Sequence, residues 1–206
     1  GERVTLEPGV PDGTCRECRA GRYNLCPNVR FFATPPIDGA FTNYVSIHED
    51  FAFHLPDSLS DNAGALMEPL SVGIWACKKA RVTAGDHVLV TGAGPIGLLA
   101  MQVAFAQGAT EVTVTDVASE RLQIARDLGA TRALNVAEEP LEESGIEADV
   151  LIECSGNERA LNDGIHRVRP AGVAVVVGAS RSAAPILSPQ KVSLPKSRRH
   201  TQSLRV

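Results

Sequence analysis

Three cysteines, Cys15, Cys18 and Cys26, fall within twelve positions of the stretch GTCRECRAGRYNLCPN. A disulfide takes two thiols and a closed tetrahedral zinc site takes four ligands, so three cysteines need a partner. The two-residue spacing of Cys15 and Cys18 lets a loop fold both sulfurs onto one zinc, and Cys26 returns after seven more residues. Asp12, three residues before Cys15, completes the set with an oxygen donor. Oxygen is harder than thiolate, so such a site holds zinc less tightly than four cysteines would. Two other readings stay open on spacing alone: a redox Cys-x-x-Cys pair, which belongs near a βαβ unit rather than in a β-rich loop, and plain free thiols.

A second group is the string TGAGPIG, in which Gly92, Gly94 and Gly97 follow the G-x-G-x-x-G pattern. Alone the string is weak, but here it directly follows an apolar strand, opens a helix, and precedes Asp116 at the end of the next strand, 19 residues after Gly97. Gly92 permits the tight turn, Gly94 lets backbone approach a pyrophosphate, and Gly97 lets the helix pack close to the sheet, while the helix start offers unpaired N–H groups to the anion. Pro95 suits the first helical turn, where its missing N–H would have had no acceptor. Asp116 is expected to accept hydrogen bonds from both ribose hydroxyls of the adenosine half. A 2′-phosphate would meet its carboxylate head-on, so NAD is expected rather than NADP. A tight turn that binds nothing is the bland alternative.

The elements that must carry these groups differ along the chain. Residues 1 to 57 are rich in Gly, Pro and aromatics, with strand-like runs such as ERVTLE and FTNYVSI between turn signals, and read as irregular β structure. Ser60 can cap the helical segment that follows, which Pro69 must kink or break. Strands and helices then alternate. HVLVTG (87 to 92), EVTVTD (111 to 116), a short strand at 132 to 135, DVLIEC (149 to 154) and VAVVVG (173 to 178) read as strands. Helices are expected over 95 to 107, over 119 to 129 with Ser119 as cap and Gly129 as stop, weakly before 149, and over 158 to 168. Strands joined by helical crossovers lie parallel, which gives an α/β doubly wound sheet. Ligands bind such sheets at the carboxyl ends of the strands, so backbone at Glu153, Cys154, Ser155 and Gly156, and at Val177, Gly178 and Ala179, is placed to flank a nicotinamide; simple turn geometry explains any one of them equally well.

The whole chain, 206 residues with 44% hydrophobic and 21% charged content and a net charge of -4, suits a globular protein of one or two domains. It lacks the Lys/Arg stripe that nucleic acid or an anionic membrane would attract. No apolar run approaches the roughly 20 residues of a spanning helix, and nothing resembles a signal sequence, although a chain beginning at Gly1 leaves room for one upstream. Cys77 and Cys154 stand isolated in apolar surroundings, which favours a reducing, cytoplasmic setting over a disulfide framework.

The stretch PDGTCRECRAGRYNLC resembles the structural-zinc lobe of the medium-chain zinc-dependent dehydrogenases, and TGAGPIG with VTVTD resembles their cofactor domain. FFATPPIDGAF and ALMEPLSVGIWAC are similar to the sorbitol and xylitol dehydrogenase branch, and the likeness runs from Gly1 to about Leu194. The resemblance implies part of a β-rich GroES-like catalytic domain with the zinc lobe over residues 1–80 and a Rossmann NAD-binding domain over 81–206. It implies a tetrameric polyol dehydrogenase that uses NAD and zinc. Asp12 stands where the family's lobe has a cysteine. Glu68 matches a residue at the catalytic zinc, and a carboxylate beside Pro69 in an apolar helix is costly to bury without a metal or partner. Phe31 and Thr34 match substrate-pocket positions, Arg121 an arginine at the adenosine ribose, and Ile96 a cofactor contact. The family's other catalytic-zinc ligands, a cysteine and a His-Glu pair, fall upstream of the part matching Gly1. His48, His54, His87 and His166 match no motif and read as structural or surface residues. SPQKVSL leads toward the family's sixth strand, but the basic, polar PKSRRHTQSLRV follows, so an unpaired sheet edge is expected.

Overall fold

Pro69 decides where the central helical segment divides. A proline ring clashes with the carbonyl four residues earlier, here that of Ala65. In a computed structural model of the protein, one helix ends at that residue and the next begins at Met67. The structure describes residues 1–178 and the backbone of 203–205. It contains two compact units, Gly1–Glu68 and Pro69–Val206.

The first unit holds little regular structure. β1 (Val4–Leu6), β2 (Gly9–Val10), β3 (Arg30–Phe31) and β4 (Ala52–His54) pair antiparallel as β1 with β4 and β2 with β3. Between β2 and β3 lies the one-turn helix α1 (Arg16–Arg19). Helix α2 (Asp61–Ala65) starts as expected from Ser60, whose Oγ accepts the Ala63 N–H at 3.2 Å. FTNYVSI is not a strand: residues 41–47 form an irregular loop with Phe41 and Tyr44 exposed, because no described strand lies alongside to take their backbone hydrogen bonds.

Helix α3 (Met67–Ala80) leads into the second unit, where β5 (His87–Thr91), α4 (Pro95–Ala106), β6 (Glu111–Asp116), α5 (Ser119–Asp127), β7 (Arg132–Asn135), β8 (Ala148–Glu153), α6 (Glu158–Ile165), β9 (Val168–Val176) and β10 (Ser203–Arg205) follow. All sheet pairings are parallel, in the order β10-β9-β8-β5-β6-β7. The order reverses between β5 and β8, so the switch point lies where Gly92 and Cys154 leave the sheet. Successive strand residues face opposite sides. Val88, Val90, Val150 and Ile152 therefore pack with Ala76 and Cys77 of α3, Ala100, Met101 and Ala104 of α4, and Leu122 of α5. Leu89, Leu151 and Ala174 pack with Leu161 and Ile165 of α6 on the other face.

Several expectations need correction. Ser119 is the first helical residue of α5 rather than its cap, and its Oγ accepts from Asn135 Nδ2. The Asp116 carboxylate occupies the capping region instead, accepting the Val117 and Ala118 N–H groups. Gly129 does end the helix, at φ +96°, with the Ala130 N–H returning to the Ala125 carbonyl. No helix forms over 136–147; turns there deliver Leu141 and Ile146 to the core. Helix α6 stops at Ile165, and β9 begins five residues earlier than expected, with a register shift opposite Ala148 and Val150 that absorbs Pro170 and Ala171. The edge expected to be bare is paired, Ser203–Arg205 against Val173–Val175, since a strand needs only backbone groups from its partner. None of the described helices is long and apolar enough to cross a membrane.

Candidate functional site

The glycine turn is built by close approach. Gly92 has φ +94°, and a side chain there would begin 2.9 Å from the Ser155 nitrogen. A side chain at Gly97 would begin 1.9 Å from the Gly92 carbonyl oxygen, so only hydrogen lets α4 seat against the end of β5. At Gly94 nothing lies within 4 Å of that position. The turn is thus packed from beneath at two glycines and open at the third, with the N–H groups of the first turn of α4 beside the opening. Pro95 opens the helix, Ile96 is half-buried, and Gly94 caps it without a side-chain bond.

Asp116 ends β6, is 9% exposed, and reaches this turn: Oδ2 accepts the Ala93 N–H at 2.7 Å, while Oδ1 accepts Val117 and Ala118 at 2.8 and 2.9 Å. Three of roughly four carboxylate lone-pair positions are therefore filled by backbone. Arg121 Nη1 stands 3.8 Å from Oδ2. The structure brings Asp116 and Arg121 together at the glycine turn, but leaves the carboxylate about one free acceptor position rather than the two that both ribose hydroxyls would need. The chain's own residues fit a dinucleotide: a cradle open only at Gly94, an anion-favouring helix start, and a carboxylate at its rim.

On the other side of the switch point, Cys154 donates its N–H to the Thr91 carbonyl at 2.8 Å. Val177 and Gly178 both donate to the Glu153 carbonyl, at 2.8 and 2.9 Å. The turns containing Ser155–Gly156 and Val177–Gly178 thus lie together beside Gly92; Ala179 lies outside the described residues. Burial pushes the Cys154 thiol up to about 12, with Glu153 and Cys77 adding to it, and burial alone does the same for Cys77, so neither is a reactive thiolate.

In the first unit, Asp12, Cys15, Cys18 and Cys26 have their donor atoms within 4.8 Å of one another. Among the described residues they are the one such group of three or more. Cys15 caps α1 through its sulfur, which accepts the Cys18 N–H, and the two sulfurs stand 3.3 Å apart. Asp12 Oδ1 accepts from Thr14 and Cys15, and Oδ2 from Asn28 Nδ2 at 2.6 Å. Asn28 first, then those backbone groups, hold the Asp12 carboxyl well below the usual range. The Cys15 thiol is lowered, chiefly by the Cys18 N–H, whereas desolvation and then hydrogen bonding to Cys15 and Cys26 push Cys18 up to about 12. The Cys18 thiol thus keeps its proton, which a divalent cation would displace. Donor count, spacing and softness fit zinc, with the redox pair disfavoured by its distance in sequence from any βαβ unit.

Glu68 does not meet the burial argument made for it: it is exposed, in the first turn of α3 where an acid favours the helix dipole. It joins no cluster of metal-ligating groups among the described residues. Phe31 and Thr34 share one exposed turn, the Thr34 N–H donating to the Phe31 carbonyl at 3.2 Å. Three of the histidines have local roles: the ring of His87 meets Thr113 Oγ1, that of His48 caps its own turn, and that of His166 meets the Asn162 carbonyl. Sequence reasoning missed Asn28, which gave no signal, and Glu153 as more than a strand end, although a carboxylate finishing the apolar run DVLIEC was a visible one.

The model of the zinc-binding dehydrogenases matches residues 95–206, and that of the alcohol dehydrogenase GroES-like domain matches residues 1–57. Sorbitol dehydrogenase of Bacillus subtilis is 45% identical over 184 residues, covering 86% of this chain and 52% of that protein. The chain spans about half the length of the curated relatives it matches. Among solved structures, L-idonate 5-dehydrogenase of Escherichia coli superimposes with a TM-score of 0.87 at 28% identity, covering all of this chain and 60% of the other. An alcohol dehydrogenase of Escherichia coli complexed with NADH gives 0.87 at 29%, covering 99% and 60%. With its glycine turn, doubly wound sheet and cysteine lobe matched together, the chain belongs to the zinc-binding dehydrogenase family.

Proposed function

We propose that the protein carrying this chain oxidises a secondary hydroxyl of a polyol of the sorbitol or xylitol type, passing the hydride to NAD and the hydroxyl proton to solvent, to give a ketose. The observation that carries the reading is the glycine turn, closed beneath at Gly92 and Gly97 and open at Gly94, with Asp116 tied to its Ala93 N–H. In this reading the turn and α4 take the pyrophosphate, and Asp116 with Arg121 takes the adenosine ribose. The turns at Ser155–Gly156 and Val177–Gly178 flank the nicotinamide. Phe31 and Thr34 offer an aromatic wall and a hydroxyl to the carbon chain. The likeness to sorbitol dehydrogenases supports the substrate class, and the NADH-bound relative supports the cofactor class.

Zinc at Asp12, Cys15, Cys18 and Cys26 is structural, holding the lobe closed. Glu68 matches the position of a catalytic-zinc ligand, but one exposed carboxylate does not hold a metal. In this reading the described residues would supply the cofactor's seat but not the activation of the hydroxyl. That observation favours a second reading for residues 1–206 by themselves, a chain that binds NAD and one zinc without turnover. A cytoplasmic homo-oligomer, a tetramer by resemblance, is the assembly that goes with the first reading.

The test is oxidation of sorbitol, xylitol, threonine and ethanol, with NAD and zinc, by the protein expressed from its own gene. Turnover of the polyols above the other two supports the proposal, and rapid turnover of ethanol with no polyol oxidation refutes it. Metal analysis of residues 1–206 separates the two readings: one tightly bound zinc per chain favours the second reading for this stretch, and two refute it.

A further inference from the structure

Glu153 is the most completely buried acid of the described residues, 1% exposed, directly after the buried apolar run Val150, Leu151 and Ile152. A carboxylate is costly there unless its oxygens are well occupied. Its Oε1 accepts three donors from the following turn, the Ser155 N–H at 2.7 Å, the Gly156 N–H at 2.9 Å, and the Ser155 hydroxyl in a shorter bond. Its Oε2 lies 2.8 Å from where a side chain at Gly178 would begin. Its backbone carbonyl accepts Val177 and Gly178. One residue therefore organises the turn after β8 through its side chain and the turn after β9 through its main chain. The first of these turns is the one Gly92 packs against, its side-chain position 2.9 Å from the Ser155 nitrogen and 3.0 Å from the Ser155 Cα.

The adenosine half of the crevice is organised by Asp116 in the same manner, a strand-end carboxylate accepting the N–H groups of its own turn. We infer that Glu153 is its counterpart for the other half, a positioning residue that sets the backbone receiving the nicotinamide riboside. The inference rests on the dinucleotide reading and adds a residue to it. An amide at this position keeps the shape and one oxygen for the three donors, but removes the charge. Hydrogen bonds to an ionised acceptor are about twice as strong as neutral ones. The turn at Ser155–Gly156 then loosens while the glycine turn and Asp116 keep their own bonds.

The experiment compares two ligands on the whole chain by calorimetric titration: NAD, which spans both halves, and AMP, which reaches only the adenosine half. In Glu153→Gln, NAD affinity is expected to fall at least about tenfold and AMP affinity to stay within about twofold. Ser155→Ala, which removes one donor and leaves the carboxylate in place, is expected to lower NAD affinity about threefold with AMP again unchanged, so the inference stays open to refutation if the amide variant folds poorly. A merely structural role moves both ligands together, and that result, or no change with either in both variants, overturns the inference alone. A wild-type chain that binds neither ligand overturns the inference together with the dinucleotide reading beneath it.

Discussion

Placing a methyl group at Gly97 tests whether this glycine serves packing and Gly94 serves the ligand. In Gly97→Ala the new carbon would begin 1.9 Å from the Gly92 carbonyl oxygen, 3.1 Å from its carbon and 3.4 Å from Val90 Cγ1. The first obstacle is backbone and cannot rotate aside, so α4 must lift from the sheet, above a core in which Ala100, Met101 and Ala104 are fully buried. Overpacking of this kind costs about 1–3 kcal/mol, and a backbone obstacle puts it at the top of that range. Replacing a helical glycine by alanine returns about 1 kcal/mol. The net is a loss of about 2 kcal/mol, or roughly 4–8 °C in Tm for a chain of this size. Gly94→Ala meets nothing within 4 Å at an ordinary extended backbone, φ -73° and ψ 177°. Its cost is that of a poorer helix cap, about 0.5 kcal/mol or ~2 °C. Its effect falls instead on NAD, whose pyrophosphate must come where the methyl now stands, with affinity lower by about tenfold or more. Thermal unfolding followed by circular dichroism, with NAD titration of both variants, reads the two effects. Equal Tm losses, or a Gly97→Ala chain as stable as wild type, would refute the division of labour.

Asp116→Ser is expected to weaken NAD and narrow its preference over NADP by about tenfold, and to lower Tm because Ala93, Val117 and Ala118 lose their acceptor; an unchanged preference in parallel titrations rules out the ribose role. Cys26→Ala should abolish zinc retention and Asp12→Cys should tighten it, read by competition with a chromogenic chelator, and an Asp12→Cys variant that holds zinc no tighter than wild type contradicts the softness argument. Burial alone would raise the Asp149 carboxyl, but the His87 N–H and the Arg169 guanidinium outweigh it and hold it below its ordinary value of 3.8. A depressed acid stabilises the fold above that value, and the contribution disappears as pH falls through the lower folded value. Asp149→Asn should therefore flatten the loss of stability below about pH 4, and an acid limb identical to wild type in urea melts would show that Asp149 contributes nothing.

The second unit was legible because two independent signals agree along it: apolar runs with strand composition, and glycines where backbone must pass close to backbone. What misled was local chemistry with more than one outlet. Ser119 had the right type for a cap, yet the Asp116 carboxylate, arriving from the strand, reached the N–H groups of the linking turn first. The residue type and position of Asp116 point to a ligand and give no sign of the three backbone bonds that hold it. The short elements of the first unit were only partly legible, because a strand such as FTNYVSI depends on a neighbour that composition does not reveal. Glu68 shows the same limit: its apolar neighbours suggested burial, whereas helix position left it exposed in the first turn of α3. The cysteine lobe was readable from spacing, but the Asn28 amide that steadies Asp12 lies sixteen positions away, beyond any local pattern.

On the proposed function, a dinucleotide seats on the turn between β5 and α4 with its adenosine end at Asp116. Titrating NAD into isotopically labelled protein and following backbone amide resonances locates the ligand by residue. Saturable shifts are expected at Ala93, Gly94, Ile96, Gly97, Val117 and Ala118. Saturation without movement at those amides, or no response to NAD at any concentration, would contradict this seating.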